Sequence, residues 1–274
     1  MRFFQAADGT RLAYRDEGAG PPVLALAGLT RDGRDFDHVA PHLAHVRLIR
    51  LDARGRGASG RADPASYTVP QEAVDAVALL DHLGIERAAI LGTSRGGLVA
   101  MALTGVAPAR MSGAFLNDIG PEIAPESMAA IMGYLGLPPP HRTLAEAAAA
   151  RPAVMAAAGF EGVPAERWAA EAARLWTQGE AALSLPYDPA LRDAVIAAGA
   201  TPAPDLWPLF EALPAPLAAL RGAGSNLLAP ETFAEMRRRR PDMLAAEAAG
   251  RGHVPFLDEP EALALIRRWL EMLP

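Results

Sequence analysis

The chain has 274 residues, 51% of them hydrophobic, so it can bury a large core and fits a one-domain α/β fold. A net charge of −6 argues against nucleic acid as the main partner, and no apolar run approaches the roughly 18 residues of a membrane span. The absence of cysteine excludes disulfides, thiolate catalysis and cysteine-ligated metal, and the absence of lysine among the 26 basic residues removes Schiff-base and P-loop lysine chemistry.

Met1-Arg2-Phe3-Phe4-Gln5 leads into Asp8-Gly9 without a long apolar stretch, so no secretory signal is expected, and a cytoplasmic location is. Residues 3–6 and 12–15 flank that Asp-Gly turn and read as an antiparallel hairpin. Pro21-Pro22 introduces the continuous apolar run 23–27, a central strand that ends in Gly28-Leu29-Thr30. A helix is expected over 36–44 and a strand over 46–51. Gly55-Arg56-Gly57-Ala58-Ser59-Gly60 then mimics a dinucleotide fingerprint. Its third glycine runs on into Arg61-Ala62-Asp63-Pro64 rather than into a helix, so no nucleotide cofactor is expected. Residues 70–83 form a helix with proline at its start and Gly84 at its end.

Ala88-Ala89-Ile90-Leu91 reads as a buried parallel strand, Gly92-Thr93-Ser94-Arg95-Gly96 as a sharp turn, and the Ala/Leu/Val/Met segment after it as a helix. A serine at such a corner is held strained with its hydroxyl pushed outward, and the flanking glycines avoid collisions between a Cβ and the neighbouring strand and helix. Residues 113–118 are another strand, ending in Asp118. From Pro121 to about Pro204, Ala-rich helical stretches are broken by prolines and hold no convincing strand, which suggests a helical cap inserted into the alternating pattern. Strand character resumes at 216–221 and 243–247. The run Arg237-Arg238-Arg239-Arg240 reads as a solvated helix end, and a last helix covers 259–273. Alternating strands and helices imply a mostly parallel sheet covered on both faces, with function at the carboxyl ends of its strands.

Four loops there carry pointed chemistry: Gly28-Leu29, Ser94-Arg95, Asp118 with Ser225-Asn226, and Gly252-His253. A serine hydroxyl needs an adjacent base, usually imidazole. His38, His42, His45, His82 and His141 fall on helices or in the inserted segment, whereas His253 lies in the glycine-flanked loop Gly250-Arg251-Gly252-His253-Val254-Pro255-Phe256.

With Leu26-Ala27-Gly28-Leu29, Asp52 followed by Arg54-Gly55-Arg56-Gly57, the 92–96 elbow, Leu116-Asn117-Asp118, Leu220-Arg221-Gly222 and Gly252-His253, the chain resembles the α/β-hydrolase superfamily. The resemblance is to its capped serine esterase and C–C-bond hydrolase branch, and it spans nearly the whole chain. It implies an eight-stranded, mostly parallel sheet with helices on both faces, a core of 1–120 and 206–274, and a helical cap over 121–205. It also implies an oxyanion hole from the N–H groups of Leu29 and Arg95. Arg95 lies at a helix N-terminus, where unpaired N–H groups favour developing negative charge. The serine separates the chain from relatives that use aspartate there, such as epoxide hydrolases and haloalkane dehalogenases.

One departure stands out: the family's usual acid position falls on Asn226. Asparagine can orient imidazole but cannot stabilise imidazolium with a charge, an exchange that costs about 10⁴ in turnover in a serine protease. Asp118 supplies the carboxylate, as in some family members; or the chain is a variant, natural or engineered, in a slow state; or its chemistry or ligand binding needs less imidazolium. Substrate contacts are expected from Phe36 beyond the oxyanion loop and from Tyr134 and Trp176 in the cap, among the bulky residues Met132, Leu135, Trp168 and Tyr187. The expected function is hydrolysis of a moderately hydrophobic ester or related carbonyl compound through an acyl-enzyme, with neither metal nor cofactor and a small molecule as partner. C–C cleavage of a β-diketone or dienone, or ligand binding without turnover, are the alternatives.

Overall fold

The Asp8-Gly9 turn, with Gly9 at φ +83°, joins β1 (Arg2–Gln5) to β2 (Arg11–Glu17) in the expected antiparallel hairpin. The structure is a computed structural model that describes residues 1–274, side chains of Pro125 and Glu126 excepted. After β3 (Pro22–Leu26) and β4 (Arg47–Asp52) come α1 (Val69–His82), β5 (Ala88–Thr93), α2 (Arg95–Val106) and β6 (Met111–Asn117). Helices α3 (Pro125–Met132), α4 (Leu144–Ala157) and α5 (Ala165–Leu175) follow. A two-residue hairpin, β7 (Thr177–Gln178) and β8 (Leu183–Ser184), precedes α6 (Leu191–Gly199). The chain returns through α7 (Trp207–Glu211) and β9 (Leu217–Gly222), then α8 (Pro230–Arg239), β10 (Leu244–Ala248) and α9 (Pro260–Glu271).

The sheet runs β1-β2-β4-β3-β5-β6-β9-β10, parallel from β4 to β10 and antiparallel at the β1–β2 edge. Period-two alternation divides its side chains between two layers. Leu24, Ile90, Leu116 and Ala219 join one core with Leu79 of α1, Val99 of α2, Phe210 of α7 and Phe233 of α8. Val23, Leu91, Phe115 and Leu220 face the other way, onto Leu265 and Trp269 of α9. This is the expected eight-stranded and mostly parallel sheet between helices.

Three expectations change. Residues 36–44 form two single 3₁₀ turns, Gly33–Phe36 and Ala40–Leu43, instead of a helix. Pro41 has no N–H to donate inside a longer helix and serves at the start of the second turn. Phe36, expected at the substrate, is 0% exposed and packs beneath the sheet with Val23, Ala25 and Val39. The segment between β6 and α7 also holds the short β7–β8 hairpin beside its four helices.

At the β5–α2 corner the backbones nearly touch. A Cβ on Gly96 would sit 2.6 Å from the Leu26 carbonyl carbon of β3, and one on Gly92 would sit 2.6 Å from the backbone of Gly96. Only glycine lets α2 start so close to two strands, and Ser94 between them adopts φ 51°. Gly96→Ala is therefore expected to lose about 3 kcal/mol of stability in urea unfolding, at the top of the overpacking range. Gly84→Ala, at φ +63° with nothing within 4 Å, is expected to lose only about 1–2 kcal/mol. Equal losses would show that conformation, not closeness, sets the glycine requirement.

Candidate active site

Ser94 is the N-cap of α2, and its amide donates to the Asn117 carbonyl at 3.0 Å, so the neighbouring strand fixes the corner. Its Oγ lies 2.9 Å from His253 Nε2. On the far side of the ring, His253 Nδ1 lies 2.7 Å from Asp118 Oδ2. A carboxylate can only accept there, so Nδ1 carries the proton and Nε2 presents its lone pair to the serine hydroxyl.

Asp118 is 0% exposed and sits at φ 54° just past β6. Its Oδ1 accepts the Gly222 amide at 2.8 Å, and its Oδ2 accepts the Ser225 hydroxyl at 2.7 Å. The Ser225 oxygen in turn accepts the amides of Leu227 and Leu228, both at 3.2 Å. Asn226, the position expected for the acid, has an exposed side chain. Its carbonyl accepts the Ser127 hydroxyl of α3 at 2.6 Å. The β9 loop thus turns Ser225 inward and Asn226 outward, and the group that meets the imidazole comes from β6.

The histidine loop is held at three places. Asn117 Nδ2 donates to the Pro255 carbonyl at 3.0 Å, and Arg251 Nε donates to Glu259 at 2.8 Å. A Cβ on Gly252 would lie 3.0 Å from both the Ala158 carbonyl carbon and Phe160 Cε2, so the end of α4 presses directly on the residue before His253. Phe160, Trp168 and Phe256 form an aromatic trio there, with ring centroids 5.6–6.0 Å apart.

Opposite the histidine, a Cβ on Gly28 would lie 3.7 Å from that of Ser94, which puts the Gly28-Leu29 turn beside the hydroxyl. Among the described residues, neither the Leu29 nor the Arg95 amide has a hydrogen-bond acceptor. A buried ion cluster lies behind both. Arg56 Nε donates to the Leu29 carbonyl at 2.9 Å, Arg56 pairs with Glu72 of α1 at 2.8 Å, and Glu72 also takes Arg95 Nε at 2.8 Å. Burial pulls the Arg56 guanidinium down to about 10. Burial pushes the Glu72 carboxyl up, but the Arg56 and Arg95 guanidiniums beside it hold it below the usual carboxylate range.

This cluster escapes a reading by motif, although α1 carries a signal for it. Glu72 and Asp75 stand on the face that buries Ala73, Ala76 and Leu79, where an unpaired acid would be costly. The GxGxxG-like loop keeps its arginines for the interior: Arg54 is fully buried and donates twice to Asp75 at 2.7 Å. Of the remaining expected contacts, Tyr134 is exposed after α3. Trp176 packs on Ala147, Ala172 and Leu183 within the inserted segment.

A family model described as "Alpha/beta hydrolase family" matches residues 23–264. Over 268 residues the chain is 38% identical to a Cupriavidus necator protein named 3-hydroxybutyrate-oligomer hydrolase, covering 93% of this chain and 91% of that one. A solved alpha/beta hydrolase from Novosphingobium aromaticivorans is similar with a TM-score of 0.89 at 41% identity, covering 98% of this chain and 97% of that one. E-2-(acetamidomethylene)succinate hydrolase shares the fold, with a TM-score of 0.82 at 21% identity over 98% of this chain and 99% of its own. The chain is an enzyme of the alpha/beta hydrolase family.

Proposed function

We propose that the chain is a serine ester hydrolase that works through an acyl-enzyme, with Asp118 in place of Asn226 as the carboxylate behind His253. The observation that carries this reading is the unbroken relay from Ser94 Oγ through both ring nitrogens to Asp118, at 2.9 and 2.7 Å. His253 Nε2 takes the hydroxyl proton as Ser94 Oγ attacks the ester carbonyl carbon. The Leu29 and Arg95 amides hold the oxyanion. The tetrahedral adduct collapses, the alcohol leaves with the proton from His253, and the acyl group stays on Ser94. Water then attacks the acyl carbon and gives its proton to the same nitrogen. The second adduct collapses as His253 returns that proton to Ser94 Oγ, and the acid is released.

Asp118 stabilises the imidazolium because its own partners, the Gly222 amide and the Ser225 hydroxyl, fix its position without neutralising it. With a carboxylate in reach of the ring, the asparagine at 226 takes nothing from the relay, and the binding-only alternative loses its motive. Helices α3 to α6 act as a cap over the serine, as the packing of Ala158 on Gly252 supports. The substrate class follows the relative of Cupriavidus necator: short esters of hydroxyacids.

With nitrophenyl butyrate, Ser94→Ala is expected to abolish burst and turnover. Asp118→Asn is expected to lower kcat by about 10⁴-fold, whereas Asn226→Asp changes it less than about twofold. A large gain from Asn226→Asp would return the acid to position 226 and overturn this assignment.

The Glu72 cluster ties both oxyanion amides to α1. Glu72→Gln leaves the buried Arg56 and half-buried Arg95 guanidiniums without a counter-charge and is expected to lose about 3 kcal/mol of stability. It is also expected to lower kcat by up to about 10²-fold through the displaced amides. Because the Glu72 carboxyl titrates lower in the folded chain than in the unfolded one, its contribution is present above the ordinary carboxylate range and fades below it. The stability gap between wild type and Glu72→Gln, measured in urea from pH 7 downward, should therefore narrow below about pH 4.

A further inference from the structure

Among the described residues most arginines around the site come with carboxylates, and Arg192 donates instead to the Met132 and Leu135 carbonyls, both at 2.8 Å. Arg31 pairs with Asp35 at 2.6 Å and with Glu171 at 2.7 Å, and Arg174 pairs with Glu171 at 3.1 Å. Arg34 pairs with Asp32 at 2.7 Å, and Arg167 pairs with Asp258. Arg151 of α4 makes neither an ion pair nor a side-chain hydrogen bond among the described residues, and its Nε is buried without a partner. Its guanidinium carbon lies 5.8 Å from the centroid of Trp168, a neutral ring. Burial, together with nearby Arg31, pulls the guanidinium down to about 10, so it remains cationic at neutral pH. A guanidinium nitrogen buried without a partner on a half-buried side chain is costly, and such groups concentrate where a ligand supplies the missing acceptor.

Its place in the fold points to the serine. The carbonyl of Ala158, the residue that caps α4 seven positions after Arg151, presses on Gly252 beside His253. Those seven residues span about 10 Å of helix axis, the scale of a short ester chain. Trp168 beneath Arg151 packs on Phe256, three residues past His253. From the other side Arg31 approaches: its Cγ would lie 3.5 Å from a Cβ on Gly28, beside Ser94. The Arg31 charge is balanced by its two acids, whereas Arg151, among the described residues, pairs with no acid.

We propose that Arg151 is the anion subsite of this enzyme and takes the carboxylate of a substrate that carries both an ester and a free acid, such as a linear hydroxyacid oligomer. The proposal rests on the ester-hydrolase reading for the ester and on Arg151 alone for the acid. An anionic substrate would satisfy the guanidinium with a charge-assisted hydrogen bond, and the Trp168 face would keep the fork planar for it. Arg31, with two carboxylates already bound, is balanced in charge and contributes little net field.

The test uses the linear dimer of 3-hydroxybutyrate and the methyl ester of that dimer, two substrates with the same scissile bond. Wild type is expected to favour the free acid in kcat/KM by about ten- to hundredfold, the range of a hydrogen bond to a charged group. Arg151→Gln and Arg151→Met should bring that ratio near one, mostly through KM, and Arg151→Lys should keep part of it. Calorimetric titration of Ser94→Ala with the same pair reads the subsite without turnover, and the acid should bind at least tenfold tighter. Thermal melting separates this role from a structural one. Loss of an uncompensated charge should leave Tm unchanged or raise it, whereas loss of a structural contact on Trp168 would lower it. If acid and methyl ester bind Ser94→Ala alike, or if Arg151→Met leaves the ratio intact, the subsite is overturned. Nitrophenyl butyrate hydrolysis by wild type reports separately on the esterase reading.

Discussion

The site depends on how closely three pieces of backbone approach one another at the β5–α2 corner. Because Gly92 and Gly96 have no side chains, α2 starts almost in contact with β3 and β5, and the chain has only a left-handed residue with which to make the turn. That residue is Ser94. Its strain is maintained by the sheet, through the bond from its amide to Asn117 of β6 and the packing of Gly96 on Leu26. The same closeness brings the Gly28-Leu29 turn to the hydroxyl. The half-buried Ser94 hydroxyl and the amides beside it are thus two consequences of one steric condition.

Polar groups deep in the fold do the remaining positioning. Asp118 replaces water with an amide, a hydroxyl and an imidazole, all donors, so it stays buried and oriented without a cation beside it. Glu72 holds Arg56 and Arg95 together beneath the two amides. With arginine as its only cationic side chain besides histidine, the chain can satisfy buried acids at two points at once, as Arg54 does with Asp75. Similar links attach the inserted helices to the sheet: Arg31 to Glu171, the Tyr67 hydroxyl to Asp188 at 2.7 Å, and Gly159 against Gly224. They reach the Gly28–Arg31 turn, Tyr67 just before α1 and the β9 loop, so the insertion is fastened at three places.

Much of this was legible in the residues themselves. Period-two apolar runs marked the central strands, the glycine spacing marked the elbow, and the loop context singled out His253 from five other histidines. Local rules failed where distant groups decide. Phe36 looked like a residue flanking the site, but the twin 3₁₀ turns carry it under the sheet. The fingerprint-like loop was set aside for want of a following helix, but that its arginines Arg54 and Arg56 serve acids on α1 is visible only in the fold. Glu72 and Arg151 carried no motif, since what singles them out is their partner, or the lack of one, from another element.

By itself, then, the sequence determined the strand order of hydrophobic character, the strained serine and the single histidine able to serve it, because each is a property of neighbouring residues: side-chain period, glycine spacing, loop composition. The identity of the carboxylate behind that histidine was left to the tertiary structure. Ser225 and Asn226 are adjacent in the chain and chemically similar in what they can bond. Only the path of the β9 loop between Asp118 and α3 turns one inward and the other to solvent. A register of one residue in a loop is set by packing against elements a hundred positions away, and no local preference encodes it.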